Sequence, residues 1–146
     1  MTERLYTAEA TAEGPRTGRT HSSDGRLDVQ LSRPAAMGGD DGPGTNPEQL
    51  FAAGYAACFS SAMRHVLRPL GLKPDALADA RVTARVHFDR SSPTEFDLAV
   101  DLVAALPAMS REQAQQVLEA THQVCPYSRA TRGNVQVTLS VGEPPT

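Results

Sequence analysis

The chain has 146 residues, which fits one ordinary domain and leaves too little for two halves with substantial cores. Hydrophobic residues make up 40% and charged residues 21%, a balance that excludes a disordered chain. The formal net charge of -3 gives no electrostatic reason to expect nucleic acid or an anionic membrane as a partner. We therefore expect a single folded domain over residues 1–146.

Membrane and export signals are weak along the whole sequence. No stretch approaches the roughly 18 consecutive apolar residues that a membrane span requires, and the first residues lack the basic head and apolar run of a signal peptide. We expect a cytoplasmic protein. Cys58 and Cys125 are too few for a disulfide scaffold, and a disulfide in a cytosolic chain is more often transient and catalytic than structural. Redox chemistry is therefore one hypothesis.

The first third of the chain favours β-structure. Residues 6–12, 18–22 and 27–32 are predicted to form three short antiparallel strands, separated by the turn signals Gly14-Pro15 and Asp24-Gly25. Four glycines and two prolines in residues 33–45 predict a loop.

A helix should follow this loop. Thr45 or Asn46 is suited to cap it, Pro47 suits its first turn, and we expect it to end near His65 or Leu67. Its middle is apolar on every side, whereas a surface helix shows a polar stripe. The helix is therefore predicted to be buried, and Cys58 with it.

The remainder alternates between strand and helix patterns. Residues 82–88 and 96–102 alternate in hydrophobicity and should form a hairpin, and residues 135–141 should form a last strand. A capping box at residues 110–113 starts a second helix, which should stop at Cys125. Its apolar face is predicted to consist of Ala114, Val117, Leu118, Thr121 and Val124. The order βββαββαβ favours an α+β fold whose antiparallel sheets wrap around buried helices.

The two cysteines allow several interpretations by themselves. An apolar environment raises a thiol pKa, so Cys58 needs a nearby cation to react, and a structural buried cysteine is the commonest interpretation for each. A metal site with His65 and His122 is sterically conceivable, but the spacing matches no closed metal motif.

The sequence around each cysteine narrows these alternatives. The segments are GTNPEQLFAAGYAACF, residues 44–59, and VCPYSRATRGN, residues 124–134. Both strongly resemble the organic hydroperoxide resistance (Ohr) family, within the wider superfamily of osmotically inducible protein C (OsmC). Residues 6–31 and the final strand also look like that family, so the resemblance covers nearly the whole chain.

The resemblance implies an OsmC/Ohr-like fold, an intertwined homodimer with active sites at the subunit interface, and no cofactor. It implies a peroxidase that reduces organic, alkyl and fatty-acid hydroperoxides to alcohols and is recycled by a lipoylated protein or dihydrolipoamide. It also implies site roles: Cys58 as the peroxidatic thiolate, Cys125 as the resolving thiol, Arg16 as the activating cation, and Glu48 as the carboxylate that orients Arg16. Arginine suits that role because its guanidinium stays charged and can hydrogen-bond two oxygens at once.

Two positions depart from the family's usual pattern. Pro15 stands where a second glycine usually precedes the arginine, which leaves Arg19 as the nearest alternative to Arg16. Arg129 stands where the family commonly has asparagine, and its charge is expected to be solvated.

The geometry of the predicted first helix suggests a shared site. Glu48 and Cys58 are ten positions apart, or roughly 15 Å along a helix axis. If two such helices pack antiparallel across a dimer axis, Arg16 and Glu48 of one subunit approach Cys58 of the other. Phe51, Tyr55 and Tyr127 could line an apolar substrate pocket or belong to the ordinary core.

Two other functions stay open at this point. A sister branch of the same superfamily would show a broader peroxide preference. A non-catalytic thiol protein, either a redox sensor or a small-ligand binder, would be oxidised stoichiometrically without sustained peroxide consumption.

Overall fold

The computed structural model of the protein describes residues 2–142. These residues form two compact units, one up to Leu50 and the other from Phe51 onward. The expectation of a single domain stays a prediction. No helix among the described residues is long and apolar enough to cross a bilayer.

The first unit contains a three-stranded antiparallel sheet in the order β1-β2-β3. Its strands are β1 (Ala10–Glu13), β2 (Arg19–Ser22) and β3 (Asp28–Gln30), somewhat shorter than predicted. Gly18 precedes β2 at a place where an added Cβ would lie 1.7 Å from the carbonyl oxygen of Glu13, so only glycine fits this turn. The segment predicted as a loop, residues 33–45, contains one 3-10 helix at Ala35–Met37.

Helix α1 (Pro47–Met63) begins as predicted. Asn46 is its cap, because its Oδ1 accepts a hydrogen bond of 2.8 Å from the backbone N–H of Gln49. The helix ends earlier than the expected His65 or Leu67. The next three backbone N–H groups bond to carbonyls three residues back instead of four, so the last turn tightens. Two 3-10 helices, Arg68–Leu70 and Pro74–Leu77, follow.

The prediction that α1 is buried on every side is wrong for the single chain. The residues of one face in the second half of α1 are buried, whereas small side chains occupy an exposed face. Cys58 is only partly buried. Average hydrophobicity does not distinguish small residues from large ones, and small residues gain little from burial. The buried residues are Tyr55, Phe59, Ala62 and Met63, and the exposed small ones are Ala53, Ala57 and Ser61.

The second unit contains the other three-stranded sheet, β4-β5-β6. Strands β4 (Arg81–Ser92) and β5 (Glu95–Ala105) form the predicted antiparallel hairpin. The last strand, β6 (Gln136–Val141), pairs parallel with β5, which corrects the expectation of purely antiparallel sheets. Alternating hydrophobicity is the same for either direction, so the strand pattern alone does not fix it.

Two helices connect β5 to β6 and return the chain to the end of the sheet where β5 begins. Helix α2 (Arg111–Val124) starts with the predicted capping box, in which Ser110 and Gln113 exchange hydrogen bonds of 3.1 and 3.0 Å. Helix α3 (Pro126–Thr131) was not expected from the sequence, although proline at the first helical position is a known start signal. Val124 is 46% exposed, contrary to its predicted place on the apolar face.

The core of the second unit lies between α1, α2 and one face of the β4-β5-β6 sheet. Residues from each of these elements are buried in one cluster, so the α+β prediction is confirmed. Cys125 belongs to this cluster and is fully buried. The main contributors are Tyr55, Phe59 and Met63 from α1, Val100, Leu102 and Ala104 from β5, and Ala114, Val117 and Leu118 from α2.

Candidate active site

The two cysteines meet in the second unit. Cys58 lies on α1, and Cys125 is both the C-cap of α2 and the N-cap of α3. Both are free thiols, and the Cys125 Sγ donates toward the Cys58 Sγ at 3.8 Å. A disulfide needs about 2.0 Å between sulfur atoms. The pair can therefore form a bond after a small movement, and the fold has brought together two residues far apart in sequence.

The surroundings of Cys58 favour the protonated thiol. Burial raises the pKa of this thiol, and the neighbouring Cys125 raises it further. A hydrogen bond from the backbone N–H of Tyr127 acts in the opposite direction, because it stabilises the thiolate. The balance of these effects raises the pKa of Cys58, so its surroundings act against the thiolate.

A cleft of about 430 Å³ gives access to Cys58. Its walls come from the C-terminal half of α1, from the turn that follows it, and from the junction of α2 and α3, and they are mainly apolar with two polar side chains. Cys125 is fully buried, so the two thiols differ in access. The residues that line the cleft are Cys58, Ser61, Ala62, His65, Val124 and Pro126.

Arg16 and Glu48 form an ion pair in the first unit. Nη1 of Arg16 lies 2.8 Å from Oε1 of Glu48 and donates a hydrogen bond of 3.2 Å to Oε2. The Glu48 side chain is only 14% exposed, and it stands in the first turn of α1, where the helix dipole favours a carboxylate. Arg19 instead binds both carboxylate oxygens of Asp28, at 2.7 and 2.8 Å on the surface. Arg16 is therefore the arginine that pairs with Glu48.

The three aromatic residues singled out from the sequence are in mutual contact. Phe51, Tyr55 and Tyr127 have ring centroids separated by 5.6 to 6.2 Å. Tyr55 is fully buried, and the cleft at Cys58 is lined by other side chains. Their role as a substrate pocket stays a prediction. Gly54 allows this packing, because an added Cβ would lie 2.8 Å from the Tyr127 hydroxyl.

Comparisons with known proteins identify the family. The family model for OsmC-like protein matches residues 38–140. The chain is 49% identical to the organic hydroperoxide resistance protein of Xanthomonas axonopodis pv. citri, over 94% of each chain, and 43% identical to that named OhrB of Bacillus subtilis, over 94% and 98%. The crystal structure of an organic hydroperoxide resistance protein from Legionella pneumophila superposes with a TM-score of 0.88 at 43% identity, covering 97% of this chain and all of that one. The chain belongs to the organic hydroperoxide resistance family of OsmC-like proteins.

The side chains of Tyr55, His122 and Ser128 form a hydrogen-bonded group in this OsmC-like chain, and the sequence did not predict that they would meet. Ser128 Oγ lies 2.7 Å from the Tyr55 hydroxyl and 2.8 Å from Nδ1 of His122. The pKa of His122 is lowered by burial and by the charge of Arg132, whose Nη2 donates to the His122 carbonyl at 2.6 Å. No spacing rule joins positions 55, 122 and 128, so only the fold reveals the group.

The metal alternative finds no support in the geometry. His122 directs Nδ1 to Ser128, and His65 lines the rim of the cleft. Between residues 2 and 142, no three His, Cys, Asp or Glu side chains are grouped so that they could hold a metal ion.

Proposed function

We propose that this protein is a cysteine-based peroxidase that reduces organic hydroperoxides to alcohols through Cys58 and Cys125. The observation that carries the proposal is the 3.8 Å contact between a thiol that lines a cleft and a second thiol that is fully buried. The names of its relatives, organic hydroperoxide resistance proteins, support the substrate class. The mainly apolar cleft walls agree with a hydrocarbon tail on the substrate.

The cycle has two chemical steps. The Cys58 thiolate attacks the terminal oxygen of the hydroperoxide, a sulfur–oxygen bond forms, the oxygen–oxygen bond breaks, and the alkoxide takes a proton and leaves as the alcohol. Cys58 is then a sulfenic acid. The Cys125 thiol attacks that sulfur, the disulfide forms and water leaves. A dithiol, which we propose is a lipoylated protein or dihydrolipoamide, returns two electrons and two protons and is itself oxidised to a disulfide.

Arg16 and Glu48 are the proposed activating pair. A guanidinium near Cys58 would stabilise the thiolate that burial disfavours, and it could also hydrogen-bond the departing oxygen. Glu48 orients Arg16 through the contacts of 2.8 and 3.2 Å. We propose that this cycle runs in the cytoplasm, where thiol reductants keep cysteines available.

We further propose that the protein is a homodimer with shared sites. The exposed face of α1 carries the small residues Ala53, Ala57 and Ser61, whose spacing of four allows two helices to approach closely. If two copies of α1 pack antiparallel, Arg16 and Glu48 of one subunit serve Cys58 of the other. Mixed dimers of Cys58→Ser and Glu48→Gln subunits should recover one intact site, and a complete lack of recovery would rule out the shared arrangement.

Peroxide consumption tests the central proposal. Cumene hydroperoxide and hydrogen peroxide are supplied separately with dihydrolipoamide to the wild type and to Cys58→Ser. We expect sustained turnover, a strong preference for the organic peroxide, and complete loss of turnover in the variant. Comparable turnover of both peroxides would favour the sister branch of the superfamily. Oxidation that stops at one equivalent would instead identify a redox sensor or a binding protein.

A further inference from the structure

Three helices of the second unit are joined by side chains at a single buried hydroxyl. Ser128 on α3 contacts Tyr55 from α1 at 2.7 Å and His122 from α2 at 2.8 Å. Tyr55 and Ser128 are fully inaccessible to solvent. None of the steps proposed above uses this group, although it lies on the element that carries Cys125.

One arrangement of the hydroxyl protons gives each of these three side chains a hydrogen-bond partner. The Tyr55 hydroxyl donates to Ser128 Oγ, and Ser128 donates its proton to Nδ1 of a neutral His122. Every hydroxyl proton then has an acceptor. Burial lowers the pKa of His122, which agrees with the neutral imidazole this arrangement requires. A buried chain in which each member is satisfied rigidifies its surroundings.

Ser128 is well placed to transmit that rigidity to both sulfur atoms. Helix α3 has only six residues, and Cys125 caps its start, with the Cys125 carbonyl accepting from the Arg129 N–H at 2.9 Å. The backbone N–H of Tyr127, the neighbour of Ser128, acts as a hydrogen-bond donor that lowers the pKa of Cys58. A shift of so short a helix would therefore displace the Cys125 thiol and the Tyr127 N–H together.

We infer that Ser128 is a positioning residue, held by Tyr55 and His122, that keeps the Cys125 thiol and the Tyr127 N–H aligned on the Cys58 sulfur. Its role is to make the disulfide step fast. The inference rests on the proposed function for its biological meaning, but the alignment itself concerns the formation of a sulfur–sulfur bond by any two-electron oxidant.

Diamide provides a test that does not require peroxidase activity. Diamide accepts two electrons and two protons from the two thiols, the Cys58–Cys125 bond forms, and the azo compound becomes a hydrazine. The rate of disulfide formation is measured by acid quenching and mass spectrometry in the wild type, Ser128→Ala and Tyr55→Phe. Because a misplacement of 1 Å can slow a reaction about 100-fold, we expect both variants to form the disulfide at least about tenfold more slowly.

A matched control comes from α3 itself. Thr131 is buried and its hydroxyl donates to the Ser128 carbonyl at 3.1 Å, so Thr131→Val removes a hydroxyl from α3 without touching Tyr55 or His122. This control should stay within about twofold of the wild type, since its own hydrogen bond is local. Ser128→Thr, which keeps the hydroxyl, should recover most of the rate lost in Ser128→Ala.

The pH profile of Cys58 alkylation is the second readout. In a Cys125→Ser background, Ser128→Ala and Tyr55→Phe should move the profile to higher pH, because the Tyr127 N–H no longer stabilises the thiolate. Loss of stability alone would not move this profile. Tyr55→Phe keeps the ring, so the test still applies if Ser128→Ala does not fold.

The outcomes separate the two proposals. Slow diamide oxidation in Ser128→Ala and Tyr55→Phe supports the positioning role even if the wild type fails to turn over peroxide. Disulfide rates and alkylation profiles in both variants that match Thr131→Val would overturn it, whatever the peroxidase assay shows.

Discussion

The contact between Gly54 and Tyr127 gives a prediction in which two opposing effects can be separated. A Cβ added at Gly54 would lie 2.8 Å from the Tyr127 hydroxyl oxygen and 3.3 Å from the nearest ring carbons. In a helix interior, alanine is more favourable than glycine by about 1 kcal/mol. Overpacking costs about 1–3 kcal/mol. Gly54→Ala should therefore leave the wild type no more stable, and up to about 2 kcal/mol less stable.

Removal of the hydroxyl should reverse this result. Tyr127→Phe deletes the atom at 2.8 Å and leaves contacts of 3.3 Å, which the ring can relieve by a few tenths of an ångström because it is 38% exposed. In the Tyr127→Phe background, Gly54→Ala should stabilise the protein by up to about 1 kcal/mol. The two backgrounds should thus give opposite signs, with a coupling free energy of about 1–3 kcal/mol.

Urea denaturation of the four proteins in this cycle measures the coupling, provided that the slope with denaturant stays constant. If Gly54→Ala stabilises both backgrounds equally, the ring of Tyr127 does not lie on α1 as described. Peroxide turnover measured on the same proteins shows whether a displaced Tyr127 ring also disturbs the N–H that lowers the pKa of Cys58.

Three further predictions concern the proposed chemistry. Arg16→Lys should lower kcat/KM for cumene hydroperoxide about 10- to 100-fold, because an aligned hydrogen bond to a charged group contributes about 1.5–3 kcal/mol; the surface variant Arg19→Lys is the control and should change little. Cys125→Ser should release one equivalent of alcohol and then stop with Cys58 as a sulfenic acid that dimedone traps, whereas continued turnover with dihydrolipoamide would show that Cys125 is dispensable. Because burial raises the pKa of Cys58, the folded chain keeps this proton at pH values where the unfolded chain loses it. The free energy of unfolding should then fall as the pH rises above about 8.5, the ordinary thiol pKa, and less steeply in Cys58→Ser; parallel profiles would contradict this.

Local chemistry made much of the fold predictable. Asn46 and the capping box at Ser110 are groups that satisfy free N–H donors at a helix start, so both helix starts follow from nearby residues. The hairpin of β4 and β5 follows from alternation. The parallel pairing of β6 with β5 does not follow from alternation, which is the same for both directions. The predicted helix between these two strands did indicate it, because a helical crossover usually connects parallel strands.

The wrong burial prediction for α1, and the contacts of the site that the sequence did not predict, have a different origin. The apolar pattern of α1 does not say which side chains are large, and it does not say whether the exposed alanines face solvent or another chain. The contact between Cys58 and Cys125 depends on how α1, α2 and α3 pack, and their separation of 67 residues carries no spacing rule. The family resemblance predicted that Cys58 and Cys125 form a pair, but it predicted no role for the hydroxyl of Ser128.

The two units carry different parts of the proposed chemistry, and this division has a consequence for reactivity. The second unit holds both thiols, and there burial raises the pKa of Cys58, so by itself this unit offers a poor nucleophile 3.8 Å from a resolving thiol. The cation and its carboxylate belong to the first unit. On the proposed function, the guanidinium of Arg16 must reach Cys58 before attack, and it loses its attraction once the thiolate becomes a neutral sulfenic acid. The resolving step, by contrast, needs only elements of the second unit. Substitutions at Arg16 should therefore slow the formation of the sulfenic acid while the disulfide step keeps its rate, whereas substitutions at Ser128 should slow both steps, because they displace the Cys125 thiol and the Tyr127 N–H together.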